Sequence, residues 1–151
     1  MSEQARIDWE QVRWAVGFLD AFEVHDFEPG VWSASKVEDG ALTLPFWTPS
    51  PVVERFLAGL KERGLIVSFD WPRWWHGRGL ARDPARIGHA GARTCLKLLT
   101  LHVRADRFTE GHLAAMFESG QIVAILQRLK VLLEARAGRN AGVVDGGPVI
   151  K

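Results

Sequence analysis

An apolar helical stripe in residues 95–133 constrains this chain more than any other feature, because a carboxylate interrupts it. At 100° per residue, the stripe begins with Cys95, Leu96, Leu99 and Val103. Asp106 falls about 20° from Leu99 on the same wheel, near the centre of the stripe. A carboxylate buried there must be hydrogen-bonded, paired or protonated, so Asp106 marks either a structural lock or a functional site.

The residues around Asp106 predict three consecutive helices. The first runs from residue 92 to near residue 106, the second covers residues 109–118, and the third covers residues 121–137. In the third helix the apolar residues fall within about 120° of one another. Because the connecting turns are very short, we expect these helices to pack as an antiparallel cluster.

The N-terminal half predicts a helix over residues 8–24, a small sheet and a second helix. The dipeptide Asp39-Gly40 lies between two β-rich segments and is typical of a hairpin turn. Ser50-Pro51 is a favourable start for the second helix, which ends at Gly64 and covers the sheet. The three strands are expected at residues 31–36, 41–47 and 65–69.

These elements predict an α+β fold with an N-terminal helix, a small three-stranded sheet with a covering helix, and a C-terminal cluster of three helices. Residues 1–137 are expected to form a single domain, and the glycine-rich residues 138–151 a disordered tail. A chain of 151 residues with 47% hydrophobic residues is long enough for one such core.

The composition argues against several classes of protein. No run reaches the roughly 18 apolar residues of a membrane span, so no membrane partner is expected. The N-terminus lacks the basic-then-apolar order of a signal peptide. The single cysteine, Cys95, excludes an intrachain disulfide and fits a reducing compartment. Together these features predict a cytoplasmic protein.

The net charge of +1 conceals an uneven distribution along the chain. Residues 1–40 carry nine acidic side chains and three basic ones, whereas residues 71–107 carry eight basic side chains and two acidic ones. Either the two segments face each other and cancel locally, or the basic segment is a surface for an anionic partner.

Three sequence blocks resemble a family of small bacterial proteins of unknown function. The blocks are VRADRFTEGHL at residues 103–113, FESG at residues 117–120 and Ile122-x-x-Ile-Leu-x-Arg-Leu129. Shorter similar landmarks are Phe69-Asp-Trp-Pro72, Phe27-Glu-Pro-Gly30 and Trp32. The resemblance covers about residues 10–135 and implies a compact bacterial domain, without an activity.

Two interpretations of Asp106 remain open from the residues alone. As a structural residue, it would accept hydrogen bonds from free N–H groups of the following helix and lock the turn, with an arginine from another element. As a functional residue, it would orient His102, four residues earlier, as a general base. Arg107 and Glu110 complete this weak candidate set for a small hydrolase-like enzyme.

The segment of residues 71–97 interleaves arginines with indoles, a combination that can pair phosphates and stack bases. It predicts a binding surface for nucleic acid or another polyanion. The candidate residues are Arg73, Trp74, Trp75, Arg78, Arg82 and Arg86. The structural alternative is that two tryptophans face the core while the arginines lie at its solvated rim.

Trp14 and Phe18 form an i,i+4 pair on the side of the first helix opposite its main stripe. This helix is therefore either sandwiched or part of a homodimer interface. The spacing of histidines and glycines predicts neither a metal site nor a cofactor. The expected function is a non-enzymatic interaction or regulatory module whose partner is an unknown protein or a second copy. Polyanion binding and the His102–Asp106 hydrolase are the alternatives.

Overall fold

The computed structural model describes the backbone of residues 6–149 and the side chains of residues 6–139. The described α-helices are α1 (Trp9–Val16), α2 (Leu19–Phe22), α3 (Pro51–Glu62), α4 (Trp75–Ala81), α5 (Ala92–Ala105), α6 (His112–Glu118) and α7 (Gln121–Val149). The strands are β1 (Gly30–Trp32), β2 (Lys36–Glu38), β3 (Ala41–Thr43) and β4 (Trp47–Pro49), and two 3-10 helices cover Trp71–Arg73 and Pro84–His89. The predicted α+β fold is confirmed.

Helix α7 is the central element of the core. Its apolar stripe is buried, and α1, α2, α5, α6 and the 3-10 helix Pro84–His89 all pack against it. Helices α5 and α6 also contact each other, so the predicted cluster of C-terminal helices is present. The most deeply buried residues of α7 are Ile122, Ile125, Leu126 and Leu129.

Helix α7 extends to Val149, so the prediction that this helix ends at Ala137 is wrong. A single glycine costs a helix only about 1 kcal/mol, and Gly138 does not stop the helix. Residues 150–151 and the side chains of residues 140–149 lie outside the described part of the chain. The division into a domain of residues 1–137 and a tail therefore stays a prediction.

The predicted first helix is divided into α1 and α2 at Gly17 and Phe18. The N–H of Gly17 is shared between the carbonyl oxygens of Arg13 and Trp14, and the N–H of Phe18 bonds to Ala15. This tight turn changes the direction of the chain between α1 and α2. Asp8 caps α1 as expected for its position, since its side chain accepts hydrogen bonds from Glu10 and Gln11.

Trp14, before this turn, and Phe18, within it, both pack against α3. The Trp14 ring stacks 6.4 Å from Phe56 at an interplanar angle of 12°, and Phe18 lies 5.2 Å from the same ring. Gly59 lies directly beneath the Trp14 indole, where a larger residue would collide with it. The pair is thus sandwiched within the chain, which is the first of the two alternatives. Its role as a homodimer interface stays a prediction.

The Asp39-Gly40 hairpin is confirmed, with positive φ at both turn residues, 53° and 80°. The sheet around it differs from the prediction. Two separate two-stranded antiparallel ladders form, β1 with β4 and β2 with β3, in place of one three-stranded sheet. Pro45 lies between β3 and β4, where the two ladders are interrupted, and as a proline it has no N–H to donate.

The predicted third strand is wrong. Residues 65–69 are all described, and they form no strand. The N–H of Val67 instead donates to the hydroxyl of Thr100 on α5, at 2.9 Å. This segment is therefore fixed by a helix side chain, which leaves its backbone without a neighbouring strand to join.

Candidate functional site

Asp106 lies at the C-terminal end of α5 and joins it to α6. Its Oδ1 accepts a hydrogen bond from the N–H of Leu113, in the first turn of α6, at 2.9 Å. Gly111, which precedes α6, has no side chain that could cap the helix. Asp106 therefore supplies the missing cap from the preceding helix, as the structural interpretation expects.

His102 forms its hydrogen bonds with residues other than Asp106. Its Nδ1 lies 3.1 Å from Nε2 of His112, and its Nε2 lies 3.2 Å from Oε1 of Gln121. The Gln121 amide nitrogen donates to the carbonyl oxygens of Leu80 and Ala81, which orients Oε1 towards His102. His102 must then donate from Nε2 and accept at Nδ1. The predicted pairing of His102 with Asp106 is replaced by this chain of bonds.

The buried polar chain, as we name His112, His102 and Gln121, links α4, α5, α6 and α7. His102 is only 1% exposed, and burial lowers its pKa to about 4 despite the hydrogen bond with Gln121. Burial also lowers the pKa of His112, and the Asp106 carboxylate opposes that effect. Both imidazoles are therefore neutral at pH 7. A sealed imidazole cannot reach a substrate, so this geometry gives the predicted general base no support.

The other two candidates of this set have different surroundings. Arg107 is exposed to solvent. The Glu110 carboxylate accepts a hydrogen bond from the N–H of Trp47 in β4, at 2.9 Å. Glu110 thus attaches the strands to the α5–α6 turn, and the Trp32 ring lies against Gly111 beside it.

We call residues 30–49, which contain the four strands, the arm. Its base is anchored by Trp47, which is buried, and by the contacts with Glu110 and Gly111. Beyond the base, most of its large apolar side chains are exposed to solvent. The exposed ones are Val31, Trp32, Val37, Leu42, Leu44 and Phe46. Val37 and Leu42 are cross-strand partners, so at least these two exposed apolar side chains are neighbours on one face. Exposed apolar neighbours on a small domain are typical of an interaction site.

The basic segment packs on two helices of the core. Helix α4 and the 3-10 helix Trp71–Arg73 pack against α5, whereas the 3-10 helix Pro84–His89 packs against α7, which α1 and α2 also contact. The four candidate arginines are all exposed: Arg73, Arg78, Arg82 and Arg86.

The two candidate tryptophans have different environments. Trp74 is half-buried, with its ring edge-on to Phe69 at 5.3 Å and its face against Gly77. Trp75 is 72% exposed, and the guanidinium of Arg78 lies 4.5 Å from its ring centre. The glycines of Gly77-Arg-Gly79 therefore serve helix packing, since Trp74 covers one and Arg86 the other.

Several residues of this surface also border a cleft of about 320 Å³ between α4, the 3-10 helix Pro84–His89 and α5. Of its polar residues, only Arg86 was among the sequence candidates, and His76, His89 and Thr94 were not. All four lie between residues 76 and 94, but no recognised motif spacing connects them. Gln121 was not predicted as a site residue either. A signal was present, because a polar residue at the start of the apolar α7 stripe is unexpected in the same way as Asp106 on the stripe of α5.

The described part of the chain also bears on membrane crossing and metal binding. No helix there is both long and apolar enough to traverse a bilayer. Within the same part of the chain, no three His, Cys, Asp or Glu side chains are grouped so that they could hold a metal ion.

Comparison with known proteins gives one match. A family model described as a family of unknown function (DUF6508) matches residues 7–135, which is most of the chain. No curated protein and no solved structure matches the chain.

Proposed function

The chain belongs to the DUF6508 family, and because the description of that family states no function, we propose one from the geometry. This protein is an interaction module, and its partner is a second copy of the same chain. The observation that carries the proposal is the arm, in which anchored strands expose a row of large apolar side chains.

The strand pairing of the arm supports association through β2. Within the described residues each ladder has two strands, so β2 is hydrogen-bonded to β3 on one side and has no strand partner there on the other. Two-stranded ladders are marginally stable alone, and three or more strands with an apolar face are much more stable. Pairing of β2 with β2 of a second copy gives a four-stranded sheet and provides a partner for the unpaired edge of each β2.

The sequence of β2, Lys36-Val37-Glu38, is complementary to itself. In an antiparallel pair centred on Val37, Lys36 of one copy lies opposite Glu38 of the other, twice. An antiparallel pair centred on Lys36 or on Glu38 instead places that charged residue opposite its own copy, which is unfavourable. The charges of this strand therefore favour the register centred on Val37 over these two.

The same register continues an apolar row across the sheet. Val37 lies directly opposite Leu42 in the ladder, so the two side chains share one face. They are 71% and 62% exposed in the single chain. Across two copies the row contains four apolar side chains, which adds hydrophobic stabilisation to the backbone pairing.

Sedimentation of the full chain over a range of micromolar concentrations tests this proposal. We expect a concentration-dependent dimer, and we expect Val37→Glu to give a monomer with an unchanged circular dichroism spectrum, because two carboxylates would meet at the symmetry axis. Val131→Glu, at an exposed apolar residue on α7, is the matched control and should stay dimeric. A wild-type chain that is monomeric throughout, or a dimer unaffected by Val37→Glu, would contradict the proposal.

Polyanion binding is a second candidate, supported by the exposed Trp75 ring with Arg78 stacked on it. An exposed indole beside arginines can stack a base while the guanidinium groups contact phosphates. It is a separate activity of a separate surface.

Binding of a single-stranded oligonucleotide at several salt concentrations tests the second candidate. We expect affinity to fall steeply with salt, and the Arg78→Glu/Arg82→Glu variant to lose binding. The Arg55→Glu/Lys61→Glu variant, with the same change in charge on α3, should bind nearly as the wild type does. No retention of the oligonucleotide at low salt would exclude this candidate.

The proposed setting of this module is the cytosol of a bacterium. The free thiol of Cys95 is buried, and burial raises its pKa to about 12, although Arg128 opposes that shift. Such a thiol is unreactive, which suits a structural residue in a reducing compartment.

A further inference from the structure

The cleft between α4, the 3-10 helix Pro84–His89 and the start of α5 is lined by both polar and apolar residues. The polar ones are His76, Arg86, His89 and Thr94, and the apolar ones are Leu80 and Ala90. None of the residues that line this cleft is acidic. Its volume of about 320 Å³ lies at the lower end of the range for small-molecule sites.

Contacts outside the cleft hold parts of its wall in place. The Arg86 guanidinium lies close to the backbone of α4 at Gly79, where even a Cβ atom would be 3.2 Å from Nη1. The carbonyl oxygen of Ala90 accepts a hydrogen bond from Nε of Arg128 on α7, at 2.7 Å. The cleft is therefore built from three elements that are fixed to one another.

The start of α5 adds to the positive character of the cleft. Gly91 precedes this 14-residue helix and has no side chain to cap it, and the first turn carries no Asp or Glu. Thr94 and Gly91 both border the cleft, so the positive end of the helix dipole lies at its rim.

We propose that this cleft binds the phosphate group of a phosphomonoester. The Arg86 guanidinium can pair with two phosphate oxygens, the imidazoles and the Thr94 hydroxyl can donate to the others, and Leu80 and Ala90 contact the organic part. Arg86 therefore has a role in phosphate binding that the other arginines of the basic surface do not share. This site is independent of the arm and of the proposed dimer.

A titration with phenyl phosphate, followed by NMR signals of the histidine side chains, tests the site. We expect saturable shifts of His76 and His89, and little change at His25, which is exposed and does not line the cleft. Arg86→Gln should weaken binding about tenfold or more, because a charge-assisted bidentate contact is lost. Arg55→Gln, at an exposed arginine on α3 that does not line the cleft, should bind as the wild type does. An absence of saturable shifts, or equal affinity in Arg86→Gln, would overturn the proposal.

The phosphate could belong to a free small molecule or to the end of a nucleic acid, and a second arm of the experiment separates them. Oligonucleotides with a 5′-phosphate and with a 5′-hydroxyl are compared with phenyl phosphate. Preference for the 5′-phosphate that depends on Arg86 identifies a nucleic-acid end, and equal binding of phenyl phosphate identifies a small molecule. The Val37→Glu variant should bind phenyl phosphate unchanged, so failure of the dimer and failure of this site give different results.

Discussion

Asp106 shows how one polar side chain can replace a missing helix cap. Its carboxylate is half-buried and lies where the α5 dipole disfavours a negative charge. The N–H of Leu113 compensates, since it belongs to the positive end of α6. The residue therefore stabilises the junction of two helices by satisfying a donor that Gly111 leaves open.

Two substitutions of Asp106 should distinguish the stability contributed by its hydrogen-bonded cap from the stability contributed by its negative charge. Asp106→Ala leaves the Leu113 N–H without an acceptor and should lower the free energy of unfolding by about 1–3 kcal/mol in a denaturant titration. Asp106→Asn retains an amide oxygen, so its loss should be smaller. Glu62→Ala, at an exposed residue at the end of α3, is the control. Equal stability of Asp106→Ala and wild type would exclude the capping role.

At the residue scale, the sequence predicted the roles that depend on a pattern of neighbouring residues. Asp106 was recognisable because it breaks the periodicity of an apolar helix, and the acceptance of an N–H from the next helix followed from the short turn. The partners of His102 were not predictable, since His112 and Gln121 lie on other helices. Their proximity depends on how those helices pack, which no spacing along the chain encodes.

At the scale of elements, the buried polar chain joins four helices through neutral imidazoles. The folded-state pKa of His102 is about 4, below the ordinary 6.5 of the unfolded chain, so folding disfavours its protonation. The stability contribution is fully present above pH 6.5 and is lost as the pH falls towards 4. The lowered pKa of His112 acts in the same direction.

Unfolding measured between pH 7.5 and pH 5 should therefore show a loss of about 2 kcal/mol from His102. His102→Gln removes this titration, so its stability should depend less on pH even if it is lower overall. His25→Gln, at an exposed histidine, should keep the wild-type slope. The same slope in His102→Gln and wild type would contradict the assignment.

The elements also differ in how far the sequence determined them. Helices α5 and α7 follow from long apolar stripes, and the hairpin turn follows from the dipeptide Asp39-Gly40, which accepts positive φ. The strand expected at residues 65–69 failed because strand pairing is not local. The Val67 N–H donates to the Thr100 hydroxyl on α5, and a strand neighbour would have to replace this acceptor.

At the scale of the whole molecule, the chain presents two unlike surfaces. The arm exposes apolar side chains with few charges, whereas the surface around α4 exposes arginines, one indole and a cleft. Composition alone could not separate them, because the net charge is close to zero and aromatic residues occur throughout the chain. Their separation follows from packing, with α4 on α5 and the arm held by the α5–α6 turn.

A charge exchange within β2 tests the central claim, that two copies associate through this strand, most directly. Lys36 lies opposite Thr43 in the ladder and Glu38 lies opposite Ala41, so exchanging their charges disturbs no ion pair between these strands. We predict that Lys36→Glu and Glu38→Lys each weaken the dimer in sedimentation experiments, and that the double variant restores it. Dimers of equal strength in all four proteins, or a double variant weaker than both single ones, would contradict the account.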